Sequence, residues 1–346
     1  MPPRELIPIE AAYEEDPVVT ILEPARHVEL EYAEPSIVMG VFSRAWRRLI
    51  FLLKAATVII IVGAYPAMTV SSHHVDDSEI QFADGYEWSV GEVGITVTLI
   101  ARILEGPGWA SDSAVWHPHA RLTAMPAWQE GIASSTSDFT HLLAAQMGNE
   151  DISAAARLMA PQPDAMSDRL TAAAEILAKY DSRVENGHAK APKGAKALQE
   201  KLDLTAAWAK TSRAELAQQA RTPEAWPASY QDIRVFYQAK ARAHVAHEML
   251  KAAVTQNNET IGERGLADTS TEALELWRKA AIQEPLFVAN QSGDGAFLGS
   301  HLTSMAFLMD EAATATRILS AGLSKPVVKQ QPPRSAELAA SAPPSP

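Results

Sequence analysis

One apolar run constrains this chain more than anything else in it. It covers residues 49–70, opening on Leu49 and closing on Val70, and a single charge, Lys54, interrupts it. A helix needs about 20 predominantly apolar residues to cross a bilayer. A surface helix of a globular protein keeps a polar face, which this run lacks. The run therefore predicts a transmembrane helix. Lys54 lies within two turns of the N-terminal end, from where its ammonium reaches the headgroups by snorkelling. Trp46 and Tyr65 fall near the two interfaces, where amphipathic rings concentrate.

The flanks give the helix a direction. Arg44, Arg47 and Arg48 crowd its N-terminal side. After Val70 the chain continues Ser71-Ser72-His73-His74-Val75-Asp76-Asp77, with no Lys or Arg until Arg102. The positive-inside rule places the N-terminus in the cytoplasm and the rest beyond the membrane. Val70-Ser71-Ser72 offers a small-residue cleavage site. The stretch before the run is far longer than the cationic region of a signal peptide, so an uncleaved anchor is expected.

The expected organisation follows. Residues 1–43 form a disordered, acidic, proline-rich cytoplasmic tail, since no apolar periodicity persists there. Residues 44–70 are the anchor, and 71–105 a juxtamembrane linker leading into the domain. Residues 106–323 make a helical domain in the periplasm, and 324–346 a disordered Pro/Ser/Ala tail. The formal net charge of −12 argues against nucleic acid as a partner, because phosphate binding needs a basic face. The chain has no cysteine, which excludes disulfides, thiolate metal sites and cysteine nucleophiles.

Helical spacing dominates after residue 106. Residues 128–147 form one helix. Residues 162–186, with Leu170, Ala173, Leu177 and Tyr180 on one face, and 196–220 form two more, expected to pair as an antiparallel hairpin. The stripe Phe236, Ala239, Ala243, Ala246, Leu250 and Ala253 marks another over 229–254. Thr269-Ser270-Thr271-Glu272 has the form of a capping box. A last helix is expected over 296–322, with Gly322 as C-cap. Residues 93–104 suit a strand or a helix, and the pattern favours helix. The fold class is mainly α: one transmembrane helix followed by an all-α helical bundle, with disordered tails at both ends.

Few residues point to chemistry. In His244-Val245-Ala246-His247-Glu248 the histidine spacing matches no zinc-protease helix, so the pair reads as surface or boundary residues. His73, His74, Asp76 and Asp77 could bind a divalent ion weakly, as in a metal sensor. His117-Pro118-His119 could supply only half a site. No G-x-S-x-G and no phosphate-cradling glycine loop occurs. Asn290-Gln291-Ser292-Gly293-Asp294-Gly295 precedes an apolar helix, where backbone N–H groups could hold an anion or Asp294 could act as cap. No catalytic residue, metal or cofactor is assigned.

Three strings, Pro107-Gly108-Trp109, then Met125-Pro126-Ala127-Trp128-Gln129-Glu130-Gly131-Ile132, then residues 290–295 followed by His301-Leu302, resemble the bacterial inner-membrane family catalogued as domain of unknown function 2333. The resemblance covers roughly residues 45–322. It implies an anchored, largely helical envelope protein and brings no activity with it. It marks Trp128, Gln129, Gly131, Asn290, Asp294 and His301 as candidate interaction positions. The leading expectation is a non-enzymatic interaction or scaffolding protein with a protein partner. The alternatives are an enzyme acting on an envelope polymer near Asp294 and His301, and the metal sensor.

Overall fold

The computed structural model describes residues 37–73, 75–82, 88–105, 108–113, 123–222, 229–291 and 299–325. Along the first helix, side chains are described from Arg44 to Ala64 and at Ala67. The expected tails at 1–36 and 326–346, His74, His117-Pro118-His119 and Asp294 lie outside the described residues. The described residues contain ten α-helices, one 3-10 turn and no strand, so the mainly-α class holds. Contacts divide the chain into two compact units, residues 1–60 and 61–346.

Helix α1 (Ile37–His73) is 37 residues long. It begins inside the stretch expected as tail. No proline occurs between Pro35 and Pro66, so the helix propagates back from the apolar run unopposed. Ten large apolar side chains of α1, from Leu49 to Val62, are exposed. Val58, Ile59, Ile60, Ile61 and Val62 are consecutive, and each is between 58% and 70% exposed. At 100° per residue these five cover the full circle of the helix. Among the described residues no helix is long and apolar enough to cross a membrane. The apolar side chains described without a break, from Leu49 to Ala64, span about 24 Å of helix, against about 30 Å of hydrocarbon.

The second unit is a helical bundle. It comprises α2 (Gly91–Leu104), a 3-10 turn (Ala110–Asp112), α3 (Ala124–Met147), α4 (Glu150–Met159), α5 (Met166–Glu185), α6 (Ala195–Ala220), α7 (Tyr230–Gln256), α8 (Asn258–Glu263), α9 (Ala267–Ala281) and α10 (His301–Ser324). At its centre, α7 packs against α2, α3, α6, α9 and α10. Five of its buried residues are alanines, Ala239, Ala241, Ala243, Ala246 and Ala253, which lets several helices approach it closely. Gly131 of α3 shows how closely: a Cβ there would lie 2.5 Å from the Cβ of Ala241.

Several expectations need correcting. Within 71–105, expected as linker and entry segment, α2 buries Val93, Leu99 and Ile100, and residues 75–82 lie along the bundle with Val75 and Ile80 buried. The helix alternative for 93–104 is the one realised. The α5–α6 hairpin does not form. α5 packs on α4 and α2, whereas α6 packs on α10 and α7. The connection between them is pinned instead: Tyr180 Oη donates to the Lys190 carbonyl (2.6 Å), and the Gly194 N–H donates to Asn257 Oδ1 (2.8 Å). Gly194 has φ +99°, a left-handed turn suited to glycine that sends α6 elsewhere. Thr269 is not a cap, because α9 starts two residues before it at Ala267. Gly322 lies within α10, where a Cβ would meet Leu266 at 2.6 Å, so close packing rather than capping explains the glycine. The cap of α10 is Ser300, whose Oγ accepts from the Thr303 N–H.

Candidate functional site: a polar clamp on the central helix

Lys240, His244, His247 and Glu248 occupy steps of four, three and one along α7 and therefore share a face. All four are buried, from 0% exposure at Lys240 to 6% at His247. The placement of His244 toward solvent and His247 at a boundary is thereby overturned. The physical reason is a second layer: residues 75–82 cross this face and seal it from water, which a single-helix stripe does not reveal.

The crossing segment is held by charge. The Asp77 carboxylate stands 2.8 Å from Lys240 Nζ, and that ammonium also faces the rings of Trp128 (5.9 Å) and Tyr237 (6.0 Å). Cation–π attraction supplements an ion pair in this setting. Glu79 accepts from Lys251 Nζ at 2.9 Å and lies 3.9 Å from His247 Nε2. From α2, Arg102 donates to the carbonyls of Ser78 (2.6 Å) and Glu79 (3.3 Å). Asp76 accepts from the N–H and Oγ of Ser78 (3.1 and 2.6 Å), which fixes the turn.

The electrostatics follow from burial and partners. Burial pushes the His244 imidazole down to about 4, so the ring is neutral at pH 7. Its Nε2 has no hydrogen-bond partner, and its ring lies 5.4 Å from that of Trp128. Burial also lowers His247, although its Nδ1 stands 3.1 Å from the Leu274 carbonyl and donates to it. Burial raises the Glu248 carboxyl; Lys251 and the nearby Ile80 N–H pull the other way, but neither carboxylate oxygen has a well-formed hydrogen bond. Burial works to raise Asp76 as well, yet the two Ser78 bonds and Arg102 outweigh it and hold it below its ordinary value. The Lys251 bond lowers Glu79.

The adjoining cavity is small. It measures about 70 Å³ and is lined by Asp76, Arg102, Glu105, Trp128 and Gln129 among others. That is room for a few waters. The arrangement binds one chain segment firmly and offers little space for a substrate.

Of the six candidate interaction positions, the five that lie among the described residues each make contacts within the fold. Trp128 is a wall of the Lys240 pocket. Gln129 accepts from the Ala110 N–H (2.8 Å) and donates to the carbonyls of Ile103 (3.1 Å) and Gly108 (3.0 Å), tying α3 to the end of α2 and the turn beyond it. Gly131 provides the α3–α7 contact. Asn290 donates to the Gln219 carbonyl (3.1 Å) and to Asp232 Oδ1 (3.3 Å). His301 opens α10, and its Nδ1 accepts from the Ala289 N–H (3.0 Å). Burial lowers that imidazole. Thus Trp128, Gln129 and Gly131 lie within one turn of α3, Trp128 and Gly131 against α7 and Gln129 against the end of α2, while Asn290 and His301 join α10 to α6 and α7.

Asp76 and Asp77 are engaged with Ser78, Arg102 and Lys240, and among the described residues no three His, Asp or Glu side chains are disposed to hold a metal.

Sequence reasoning missed the buried charges. Besides Lys240, a fully buried Lys201 on α6 pairs with a fully buried Glu92 on α2. Asp181 on α5 accepts from the N–H groups of Ser89 (3.2 Å) and Val90 (2.8 Å) at the start of α2. The available signal for Lys240 was its position, four residues after Phe236 and close to the apolar stripe. No family model matches the chain, and no curated protein or solved structure does either.

Proposed function

We propose that this chain is a single-pass membrane protein whose helical domain lies outside the cytoplasm of a bacterial cell and acts as a protein-interaction or scaffolding unit of the envelope. The observation that carries the reading is the exposed apolar surface of α1. Covering a large aliphatic side chain is worth about 1.5–3 kcal/mol. Ten such side chains therefore make exposure of α1 to water cost on the order of 15 kcal/mol or more. Hydrocarbon removes that cost. The sequence carries the apolar character on to Val70, which lengthens the run to about 33 Å, enough to span. The arginines at one end orient it. The resemblance to the inner-membrane family points to the same location.

The interaction role is supported by the domain's construction. Its buried polar groups fasten helices and the crossing segment together.

The absence of cysteine makes a direct test practical. Single variants Ser43→Cys and Ser182→Cys, on opposite sides of the apolar run, are labelled with a membrane-impermeant maleimide in sealed right-side-out vesicles. The reading expects Ser182→Cys to label at once and Ser43→Cys only after detergent. Equal labelling of both in sealed vesicles contradicts it. Crosslinking in intact cells tests the scaffolding part: repeated recovery of the chain with no crosslinked partner counts against it.

A further inference from the structure

The cationic end of α1 has a one-sided geometry that the anchor alone does not require. Taking 100° per residue, Arg44, Arg47, Arg48 and Lys54 fall within an arc of about 120° on the helix. They span ten residues, or about 15 Å along the axis. The side chains of Arg44, Arg47 and Arg48 are exposed, and none has an acidic partner among the described residues. Helix α1 contains no Asp or Glu over its 37 residues, within a chain whose net charge is −12. The other side of the same turns carries Ala45, Trp46, Leu49 and Leu53. A helix that needed positive charge only for orientation could distribute it around its circumference.

We infer that the Arg44–Arg47–Arg48 face is a binding surface for the headgroup phosphates of anionic phospholipid in the leaflet at the N-terminal end of α1. The inference rests on the membrane reading above and adds a lipid class to it. The chemistry suits the residues. Guanidinium groups hold phosphate oxygens in paired hydrogen bonds, and arginine is less strongly hydrated than lysine, so it keeps such contacts at an interface. Lys54 lies one turn and a half beyond Arg48 on the same arc, and by snorkelling back it brings its ammonium to the same headgroup layer. Exposed Trp46, on the opposite face of this turn, seats the helix at the interfacial depth where those phosphates lie. Each cation near an anionic membrane surface adds roughly fivefold to association at moderate ionic strength.

The test uses the full chain reconstituted in phosphatidylcholine vesicles doped with a trace of spin-labelled phosphatidylglycerol or, separately, spin-labelled phosphatidylcholine. Electron paramagnetic resonance reads the motionally restricted fraction of each probe. The expected result is a preference for the phosphatidylglycerol probe of about fivefold or more, weakened by salt and lost in the triple variant Arg44→Gln, Arg47→Gln, Arg48→Gln. Restriction of both probes to the same degree in the unaltered chain overturns the inference and leaves the anchor intact. A preference that survives in the triple variant also overturns it. Failure of the unaltered chain to restrict either probe removes the anchor reading itself, and the lipid inference with it.

Discussion

Asp77 reaches Lys240 at 2.8 Å where the segment after α1 crosses the central helix of the bundle, and the lysine is wholly buried beneath that crossing. The carboxylate is the counter-charge this side chain meets out of water. Removing one partner of a buried pair leaves the other uncompensated, whereas replacing both by apolar groups can be nearly neutral. Asp77→Asn is therefore expected to destabilise the domain by about 3 kcal/mol, and Asp77→Asn with Lys240→Met by much less. Urea unfolding of the two variants measures the difference. Equal losses would show that the pair does not hold the segment down.

A second prediction concerns helix spacing. Gly131→Ala places a methyl 2.5 Å from Ala241 Cβ, so α3 and α7 must separate. Overpacking of this kind costs about 1–3 kcal/mol. Gly262→Ala is the contrast, since a Cβ there meets nothing within 4 Å and its φ is not left-handed. Alanine should stabilise that helical position by about 0.5–1 kcal/mol. Thermal unfolding should move in opposite directions for the two variants.

Gln129 offers a third. Its amide satisfies one N–H and two carbonyls across three parts of the chain. Gln129→Leu strands those groups in a buried setting, at about 1–3 kcal/mol for an unsatisfied buried group. Hydrogen exchange should show the Ala110 amide losing protection before the α6–α10 core does. Unchanged exchange at Ala110 would mean that the bond contributes little.

The fourth is a pH dependence with a definite sign. His244 is held at about 4 in the folded chain against 6.5 when free. Between these values the unfolded chain binds the extra proton, so stability falls as pH drops from 6.5 toward 4. The total over that window is on the order of 3 kcal/mol. His247, lowered as well, acts in the same direction. Asp76 and Glu79, also lowered, lose their contributions further down, as pH falls below their ordinary carboxylate range. Glu248 opposes them: its raised folded value means that stability is lost as pH rises above about 4.5. His244→Gln should flatten the urea-midpoint profile between pH 6.5 and 4. A profile as steep as the unaltered chain's would assign the slope elsewhere.

How much was legible beforehand depended on whether one element or several were involved. The stripe from Phe236 to Ala253 identified α7, and the β-branched run 93–104 resolved to a helix because α2 is buried against α3, α5 and α7, where propensity yields to packing. The burial of His244 was illegible because the cover comes from residues 75–82, more than 150 positions away. The failed α5–α6 hairpin has a similar cause: Gly194 and its bond to Asn257 belong to tertiary structure, while a short polar loop between two helices looks like a hairpin turn in any sequence. Trp128, Gln129 and Gly131 stood out only through the family resemblance, and their work as a cation wall, an amide tie and a close contact emerges only when α2, α3 and α7 meet.

The proposed membrane anchor places residues 49–70 in a bilayer. Alkaline carbonate extraction of membranes from cells making the full chain tests it most directly, beside a variant carrying Ile59→Lys, Ile60→Glu and Ile61→Lys. The claim predicts that the unaltered chain stays in the membrane pellet and that the triple variant moves to the supernatant as a folded, helical protein. An unaltered chain released by carbonate would contradict it.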